Sequence, residues 1–246
     1  VNAIIPDVAN VRSVVEEAFP GAVTTLRDRQ IARLYSATNS TIPLYLTGVD
    51  VESETELVQY LESNTGEFGA IDAPDTIALF DVHSRRLGVT VGDIVTARAE
   101  YANGRINTRD LRVVAVLDDV GMISNWTVWT SRQTAAELYQ LPPNSAGTIQ
   151  VFLKDYQSAP RIALKLREKF ELENFAMTNQ AGRPYFGRMR DLAGEPWTGR
   201  RLNLSTWKDE VAYIAWILPA LDMVFAVVIL ALLLIIAIGI LNTLMV

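Results

Sequence analysis

The pattern of apolar and polar positions divides the chain into a long mixed part and a uniformly apolar end. Every charged residue lies at or before Asp222. The nineteen residues from Met223 to Leu241 carry no charge, and the uncharged run continues to Val246. As a helix, 223–246 would span roughly 36 Å, which exceeds the ~30 Å hydrocarbon core of a bilayer. A buried core helix seldom stays apolar on all sides for this length. The pattern therefore predicts a water-soluble domain followed, towards the C-terminus, by a transmembrane helix.

The mixed part alternates between helical and strand periodicities. Asp7 is the predicted N-cap of a first helix and Ser131 of a later one, while Asn103-Gly104 is typical of a hairpin turn. The predicted helices cover about 8–18, 54–62, 82–87, 131–140 and 158–170. The predicted strands cover about 23–36, 41–49, 76–80, 94–101, 106–117, 126–130, 148–154 and 174–178.

The order of these elements predicts an α+β fold with two lobes. The outer parts have the orders α-β-β and β-α-β, and two halves of this kind can close into one α/β layer. Between them lies a mostly β insert of roughly ninety residues, which we expect to form a small barrel-like lobe of its own.

A capping box predicts where the last helix begins. Thr206 is the N-cap, Trp207 the first helical residue, and Asp209 the N3 residue whose carboxylate can reach back to the backbone of Thr206. Residues 207–222 would then form a stalk helix roughly 24 Å long, followed by the transmembrane helix over 223–246. We expect this continuous helix to connect the soluble domain to the bilayer.

Three residues along this helix have predicted membrane roles. Trp216 lies near the membrane–water interface, where aromatic belts are found. Pro219 should kink or loosen the helix close to the same boundary. Asn242 is a polar group deep in the apolar segment, and it should face another helix because an unpaired amide in hydrocarbon costs free energy.

Composition narrows the classes of function. The net charge of −6 argues against a nucleic-acid-binding surface and provides no polybasic patch for lipids. The absence of cysteine excludes thiolate metal sites, disulfides and cysteine nucleophiles. His83 is the one histidine, and it cannot build a zinc site without partners.

Motifs for catalysis are also missing from the sequence. It contains no GxxxxGK[ST], HExxH or GxSxG pattern, and carboxylate pairs such as Asp118-Asp119 are typical of loops and strand ends. The irregular stretch 180–199 combines Arg183, Arg188 and Arg190 with aromatic residues, and a packed loop explains it better than a ligand surface. We therefore expect a non-catalytic protein without cofactor or metal.

Three segments carry a resemblance to one family. The first is Leu46-Thr47-Gly48-Val49-Asp50, followed by Glu52 and Glu54. The second is LFDVHSRRLGVTVGD, from Leu79 to Asp93. The third is Thr206-Trp207 with the long helix that ends in ILNTLMV. Together they resemble the MacB/FtsX-like permease subunits of ABC transporters, which include the lipoprotein-releasing LolC and LolE type.

The second segment also has a physical interpretation. Leu87 and Val89 should be buried beside a left-handed C-cap at Gly88, and Gly92-Asp93 should make the tight turn into the following strand. The short hairpin at 99–110 leaves no room for the long loop with which LolC recruits its carrier.

The resemblance implies a discontinuous porter-like lobe over 1–50 and 147–206, with a β-rich lobe inserted at 51–146. It implies that residues 1–222 are periplasmic and that the parent protein is a multi-pass permease of the bacterial inner membrane. The implied partners are an ABC ATPase subunit, a second permease subunit in a homo- or heterodimer, and a periplasmic carrier or adaptor protein. The implied function is mechanotransmission, in which cytoplasmic ATP hydrolysis drives periplasmic movement for lipoprotein release or substrate export.

Two other functions stay open at this point. An extracytoplasmic sensory domain of a membrane-bound signalling receptor also places a mixed α/β domain before a membrane helix. A membrane-tethered enzyme is a third possibility, but the sequence offers no catalytic site for it. The next forty residues of the parent chain would separate permease from sensor, because a permease should continue with an ER..EIG-like coupling segment and two further apolar spans.

Overall fold

The structure, a computed structural model, describes residues 4–61, 63–100, 105–121, 123–178, 199–212 and 217–244. It divides into two compact units, Val1–Tyr156 and Gln157–Val246. We call them unit 1 and unit 2.

Unit 1 is a mixed structure of strands and short helices. Its strands are β1 (Ile5–Pro6), β2 (Val23–Tyr35), β3 (Thr41–Val49), β4 (Ser63–Gly66), β5 (Thr76–Phe80), β6 (Ile94–Glu100), β7 (Ile106–Leu117), β8 (Thr127–Ser131), β9 (Ser145–Ala146) and β10 (Thr148–Phe152). Its α-helices are α1 (Val8–Ala18), α2 (Thr55–Tyr60), α3 (Asp81–Leu87) and α4 (Arg132–Tyr139). Short 3-10 helices cover Val51–Ser53, Phe68–Asp72 and Ile123–Asn125.

Six strands of unit 1 close into a barrel. The pairs run in the order β2, β3, β8, β5, β7 and β6, and β6 returns to pair with β2. The pairs β3–β8 and β5–β7 are parallel and the other four are antiparallel. Strand β10 extends the sheet from β2, and β4 extends it from β7.

The alternation of side chains along the strands builds two cores. The inward residues of the barrel strands, such as Leu34, Leu46, Leu79 and Leu111, are fully buried together with Leu138 of α4. A second core lies on the outer face of β5, β7 and β8, where the 3-10 helix at Phe68–Asp72 covers it. Its members are Val49, Phe68, Ile71, Ala78, Phe80, Ala115, Leu117 and Trp129.

The compact units do not coincide with the predicted lobes. Strands β2 and β3, from the predicted lobe 1–50, form one closed sheet with β5, β6, β7 and β8, from the predicted insert 51–146. The barrel is present, but its pairing partners come from both sides of the predicted boundary. Sequence periodicity reports which face of a strand is buried and carries no information about its neighbour, so strand membership could not be predicted.

Most predicted elements are confirmed to within two residues at each end. The expected strand at 174–178 is an exception, because the structure has only an isolated bridge between Met177 and Leu202 there. The N-cap of α1 also differs. Asp7 has a left-handed backbone, and its carboxylate accepts a hydrogen bond from Asn144 at 2.8 Å. The backbone carbonyl of Asn144 accepts the N–H of Val8 at 2.9 Å, so a distant loop satisfies this helix start.

Unit 2 contains helix α5 (Ala159–Leu172), the short helix α6 (Trp207–Glu210) and the long helix α7 (Ile217–Leu244). Helix α5 turns its apolar stripe inward through Ala163, Leu166 and Phe170, which are buried.

Candidate transmission segment and membrane helix

The path from α5 towards the membrane helix begins with a tight reversal. Asn174 adopts a left-handed conformation with φ 64°, and the ring of Phe175 packs edge-on against Phe170 with 5.3 Å between centroids. Beyond it, the N–H of Thr178 donates to the carbonyl of Leu202 at 2.9 Å, and the N–H of Leu202 donates to the carbonyl of Ala176 at 2.8 Å. Two segments that are distant in sequence are therefore held side by side.

Thr178 is the centre of this connection. Its side chain is 3% exposed, and its hydroxyl is 3.0 Å from Oδ1 of Asn203. Its carbonyl accepts a hydrogen bond from Nη2 of Arg167, whose Nη1 pairs with Glu171 at 2.9 Å. Helix α5 is thus hydrogen-bonded through one buried threonine to the segment that leads into α6.

The predicted helix start at Thr206 is confirmed. The Asp209 carboxylate accepts the backbone N–H of Thr206 at 2.7 Å and its hydroxyl at 2.9 Å. Next to this cap, the Ser205 hydroxyl donates to Oε1 of Glu210 at 3.0 Å. Carboxylates in a first helical turn also interact favourably with the helix dipole. Trp207 is the first residue of α6, as predicted, and Nζ of Lys208 lies 5.6 Å from its ring centroid.

Helix α6 ends at Glu210, and Val211 is its C-cap in a turn, so the predicted continuous helix from Thr206 is interrupted at this point. Helix α7 begins at Ile217. Trp216 lies outside the described residues, so its predicted interfacial position stays a prediction. Pro219 is the third residue of α7. Proline has no N–H to donate to the carbonyl four residues earlier. For Pro219 that carbonyl belongs to residue 215, which lies outside the described residues, so the predicted kink stays a prediction. Asn242 is on α7, and its side chain is not among those described.

Helix α7 is suited to a bilayer by its length and surface. Its 28 residues correspond to about 42 Å, and the segment Pro219–Ile238 is apolar enough to cross a membrane. None of that segment is buried, and Phe225 and Ile235 are each more than 60% exposed. A buried core helix would have this surface covered. The apolar segment begins four positions before Met223 and includes Asp222, so it leaves a shorter stalk than predicted.

The motif residues of unit 1 have structural roles. A Cβ on Gly48 would lie 2.3 Å from Cβ of Ala135, so this glycine allows β3 to pack against α4. Leu87 and Val89 are buried, and Gly88 is the left-handed C-cap of α3 with φ 66°, as predicted. Asp93 stabilises the turn between α3 and β6, because its carboxylate accepts the N–H of Thr90 at 2.8 Å.

The motif carboxylate Glu54 belongs to a buried ion pair. It is fully buried and binds Arg27 through two hydrogen bonds of 2.6 and 2.7 Å, while the guanidinium lies 5.6 Å from the ring centroid of Trp129. A second pair joins the buried Asp28 to Arg132 at 3.1 Å. Burial raises the pKa of Asp28, and the Gly147 N–H and Arg132 partly oppose this rise. These groups join β2 to the start of α2 and to α4.

Two cavities open on unit 1. One of about 420 Å³ lies between the β2–β3 turn, including Thr38, and the turn that includes Asp93. The other, of about 180 Å³, lies near Arg12 and Arg132. Among the described residues, no group of three or more histidine or carboxylate side chains is placed to hold a metal ion. The arginine-rich stretch 180–199 falls almost entirely outside the described residues.

The comparisons with protein-family models and with curated proteins find no match for this chain. Solved structures do match. The extracellular domain of the noncanonical ABC-type transporter YknZ from Gram-positive bacteria is 14% identical, with a TM-score of 0.48 over 70% of this chain and 86% of that one. The periplasmic region of MacB from Actinobacillus actinomycetemcomitans is 13% identical, with a TM-score of 0.43 over 67% and 74%. A domain assigned to a permease protein from Porphyromonas gingivalis is 13% identical, with a TM-score of 0.41 over 64% and 74%.

These structural neighbours are an extracellular domain of an ABC-type transporter, a periplasmic region of MacB and a domain of a permease protein. With TM-scores below 0.5, the likeness carries no functional argument, so function is inferred from the chain's own residues.

Sequence reasoning missed the connection between Arg167, Thr178 and Asn203. Thr178 and Asn203 are 25 positions apart, and residues 179–198 between them lie outside the described part of the chain. Neither residue has a charge that could have indicated the pairing.

Proposed function

We propose that this chain is the extracytoplasmic domain and following membrane helix of a permease subunit of an ABC transporter. The observation that carries the proposal is the capped helix start at Thr206, which lies between a folded domain and an apolar helix long enough to span a bilayer. The structural roles of Gly48, Gly88 and Asp93 support it, because each explains a residue of the family-like motifs.

In this function the domain is a mechanical element rather than a catalyst. ATP would be hydrolysed by an ABC ATPase on a partner chain or on a segment outside this sequence. Movement of the membrane helix would pass through α6 and the hydrogen bonds of Thr178 to α5, and so to the folded domain. The parent protein would be a multi-pass inner-membrane protein that works with a second permease subunit. Lipoprotein release, or export aided by a periplasmic carrier or adaptor, is the expected outcome.

The test uses the full-length parent protein in nanodiscs with the ATPase that co-purifies with it. A spin label at Lys208 on α6, paired with one at the equivalent position of the second permease subunit, reports the distance between the two helix starts; Lys208 is exposed. The proposal predicts that ATP with vanadate shifts the distance distribution, and that a catalytically inactive ATPase abolishes the shift. A parent that purifies without any ATPase, or whose distances change with a small ligand instead of ATP, would favour the sensory receptor and contradict the proposal.

A further inference from the structure

The outer side of the barrel has an unusual charge arrangement. Five residues whose side chains point outward from β2, β3 and β6 make up what we call the arginine face: Arg29, Ile31, Arg33, Tyr45 and Arg98. They share one surface because the inward positions between them, such as Ala32 and Ala97, are buried in the barrel.

Arg33 and Arg98 are direct cross-strand partners on β2 and β6. Like charges at directly opposed positions repel each other and destabilise a sheet. Arg98 has a loose ion pair with Glu100 at 3.8 Å and donates a long hydrogen bond of 3.5 Å to the hydroxyl of Tyr35. The side chains of Arg98 and Glu100 are substantially exposed. In the described part of the chain Arg33 has neither a hydrogen bond nor an ion pair. Folding therefore leaves this repulsion largely uncompensated, and an anion supplied from outside would relieve it.

The face also has the apolar and aromatic components of a protein interface. Ile31 is 64% exposed at its centre, opposite Tyr45 in the β2–β3 register. The guanidinium of Arg29 stacks over the ring of Tyr45 at 4.1 Å. Arginine and tyrosine are enriched at the energetic centres of interfaces, and a stacked arginine loses little entropy on binding because it is already ordered.

A strongly acidic segment of the molecule lies outside the arginine face. The segment 50–75 contains eight carboxylate residues and no lysine or arginine, while the whole chain has a net charge of −6. Membrane-binding basic segments usually contain four to eight lysines and arginines without such an acidic background. Three arginines around an exposed isoleucine, on an acidic protein, fit a specific contact better than adsorption to anionic lipid.

We propose that the arginine face is a docking surface for an acidic segment of a partner protein. Carboxylates of that segment would lie between Arg33 and Arg98, and an apolar side chain would pack on Ile31 and Tyr45. This inference holds for unit 1 alone and does not depend on the transport function.

The probe for the test is a fluorescein-labelled deca-glutamate peptide. The full chain is placed in phosphatidylcholine nanodiscs, and binding is followed by fluorescence anisotropy at low ionic strength. We expect saturable binding that Arg33→Glu and Arg98→Glu each weaken at least about tenfold. Arg86→Glu is the matched control, since Arg86 is an exposed arginine on α3 away from the face, and it should leave binding unchanged. Equal binding by the wild type and Arg33→Glu, or an equal loss in Arg86→Glu, would overturn the proposal.

Arg33→Gln separates docking from folding. Removing the repulsion should raise the urea midpoint of unfolding while it weakens peptide binding, and opposite changes of this kind are not expected from a damaged fold. A variant that loses stability and binding together would contradict the docking role. The docking role would also be contradicted if the wild-type chain does not bind the peptide but binds phosphatidylglycerol vesicles through Arg33. Self-association through Arg33 in sedimentation experiments would contradict it as well.

Discussion

The carboxylate of Asp209 accepts two hydrogen bonds from Thr206, one from the backbone N–H at 2.7 Å and one from the hydroxyl at 2.9 Å. This pair sets the point at which the chain leaves the folded domain and becomes helical. In the proposed function, force between the membrane helix and the folded domain would pass through this helix start.

Asp209→Ala should destabilise the first turn of α6. Loss of a capping interaction costs roughly 0.5–2 kcal/mol, so the opening of this turn should become about twofold to thirtyfold more frequent. Hydrogen exchange of the Val211 amide, which donates to the carbonyl of Trp207, is the measurement. Asp72→Ala, at an exposed aspartate of unit 1, is the control and should leave this exchange unchanged. Unaltered exchange in Asp209→Ala would show that the cap does not hold the helix.

A flexible insertion should uncouple the membrane helix from the domain. Gly-Ser-Gly-Ser placed between Glu210 and Val211 should leave folding and membrane insertion intact, while transport by the parent protein is lost and ATP hydrolysis continues. The reason is that glycine-rich segments behave as random coil and cannot transmit torque or thrust. Four alanines at the same site are the matched control, since they add the same length with residues that favour helix. Unchanged transport with the flexible insertion would mean that the stalk is only a tether.

Gly48→Ala should destabilise unit 1 by about 1–3 kcal/mol, as overpacked cores do. The new methyl group would lie 2.3 Å from Cβ of Ala135, and Cα of Arg132 would be only 3.1 Å away. Urea unfolding measures the loss. Gly69→Ala is the control, because a Cβ there meets nothing within 4 Å. Adding Ala135→Gly to the first variant should recover part of the stability, and no recovery would show that Ala135 is not the obstacle.

His83 should make unit 1 less stable in mild acid. Its side chain is buried against Phe80. Burial lowers its pKa from the ordinary 6.5. As the pH falls, the unfolded chain therefore binds a proton at His83 before the folded chain does. The stability that the neutral, buried imidazole gives the fold is complete above about pH 6.5, and it is lost as the pH falls from there through the lower pKa of the folded state.

His83→Leu removes this titration. As the pH falls from 7.5 to 5, the unfolding free energy of the wild type should decrease relative to that of the variant. Urea midpoints at several pH values measure this difference. His83 is the one histidine of the chain, so no other imidazole can contribute. A difference that does not change with pH would contradict the buried neutral state.

Asn242→Leu should lower assembly or transport modestly without blocking membrane insertion. Interhelical polar contacts in membranes are worth about 0.6 kcal/mol on average and up to about 1.7 kcal/mol. Leu232→Ile is the control and should have little effect. The natural absence of cysteine makes crosslinking direct. If Asn242→Cys reacts freely with lipid-phase probes and never crosslinks to a second helix, the helix-facing prediction is wrong.

The strand predictions show how much periodicity can establish. The bounds of β3 and β5 agree with the prediction, because alternating or continuous apolar residues mark a buried face along one strand. The short strands β1, β4 and β9 were not predicted. They are two to four residues long, and β4 is exposed along its whole length, so no apolar pattern distinguishes them from loops.

Local chemistry determined the helix starts and turns that depend on neighbours in sequence. Ser131 caps α4 by accepting the N–H of Thr134, Gly88 ends α3, and Thr206 with Asp209 begins α6, each within four residues. Where the partner is distant, the prediction failed. Asp7 was expected to cap α1 itself, but Asn144 does so from 135 or more positions away.

The sequence alone determined that a mixed domain precedes an apolar helix of membrane length, since both properties are set by residue type and spacing along one element. Only the tertiary structure decided that β2 and β3 join the same barrel as β5 to β8, that Glu54 pairs with Arg27, and that Arg33 lies opposite Arg98. These relationships follow from strand pairing. Hydrogen bonds between backbones are alike for every residue, so the choice of neighbour depends on the packing of the whole barrel.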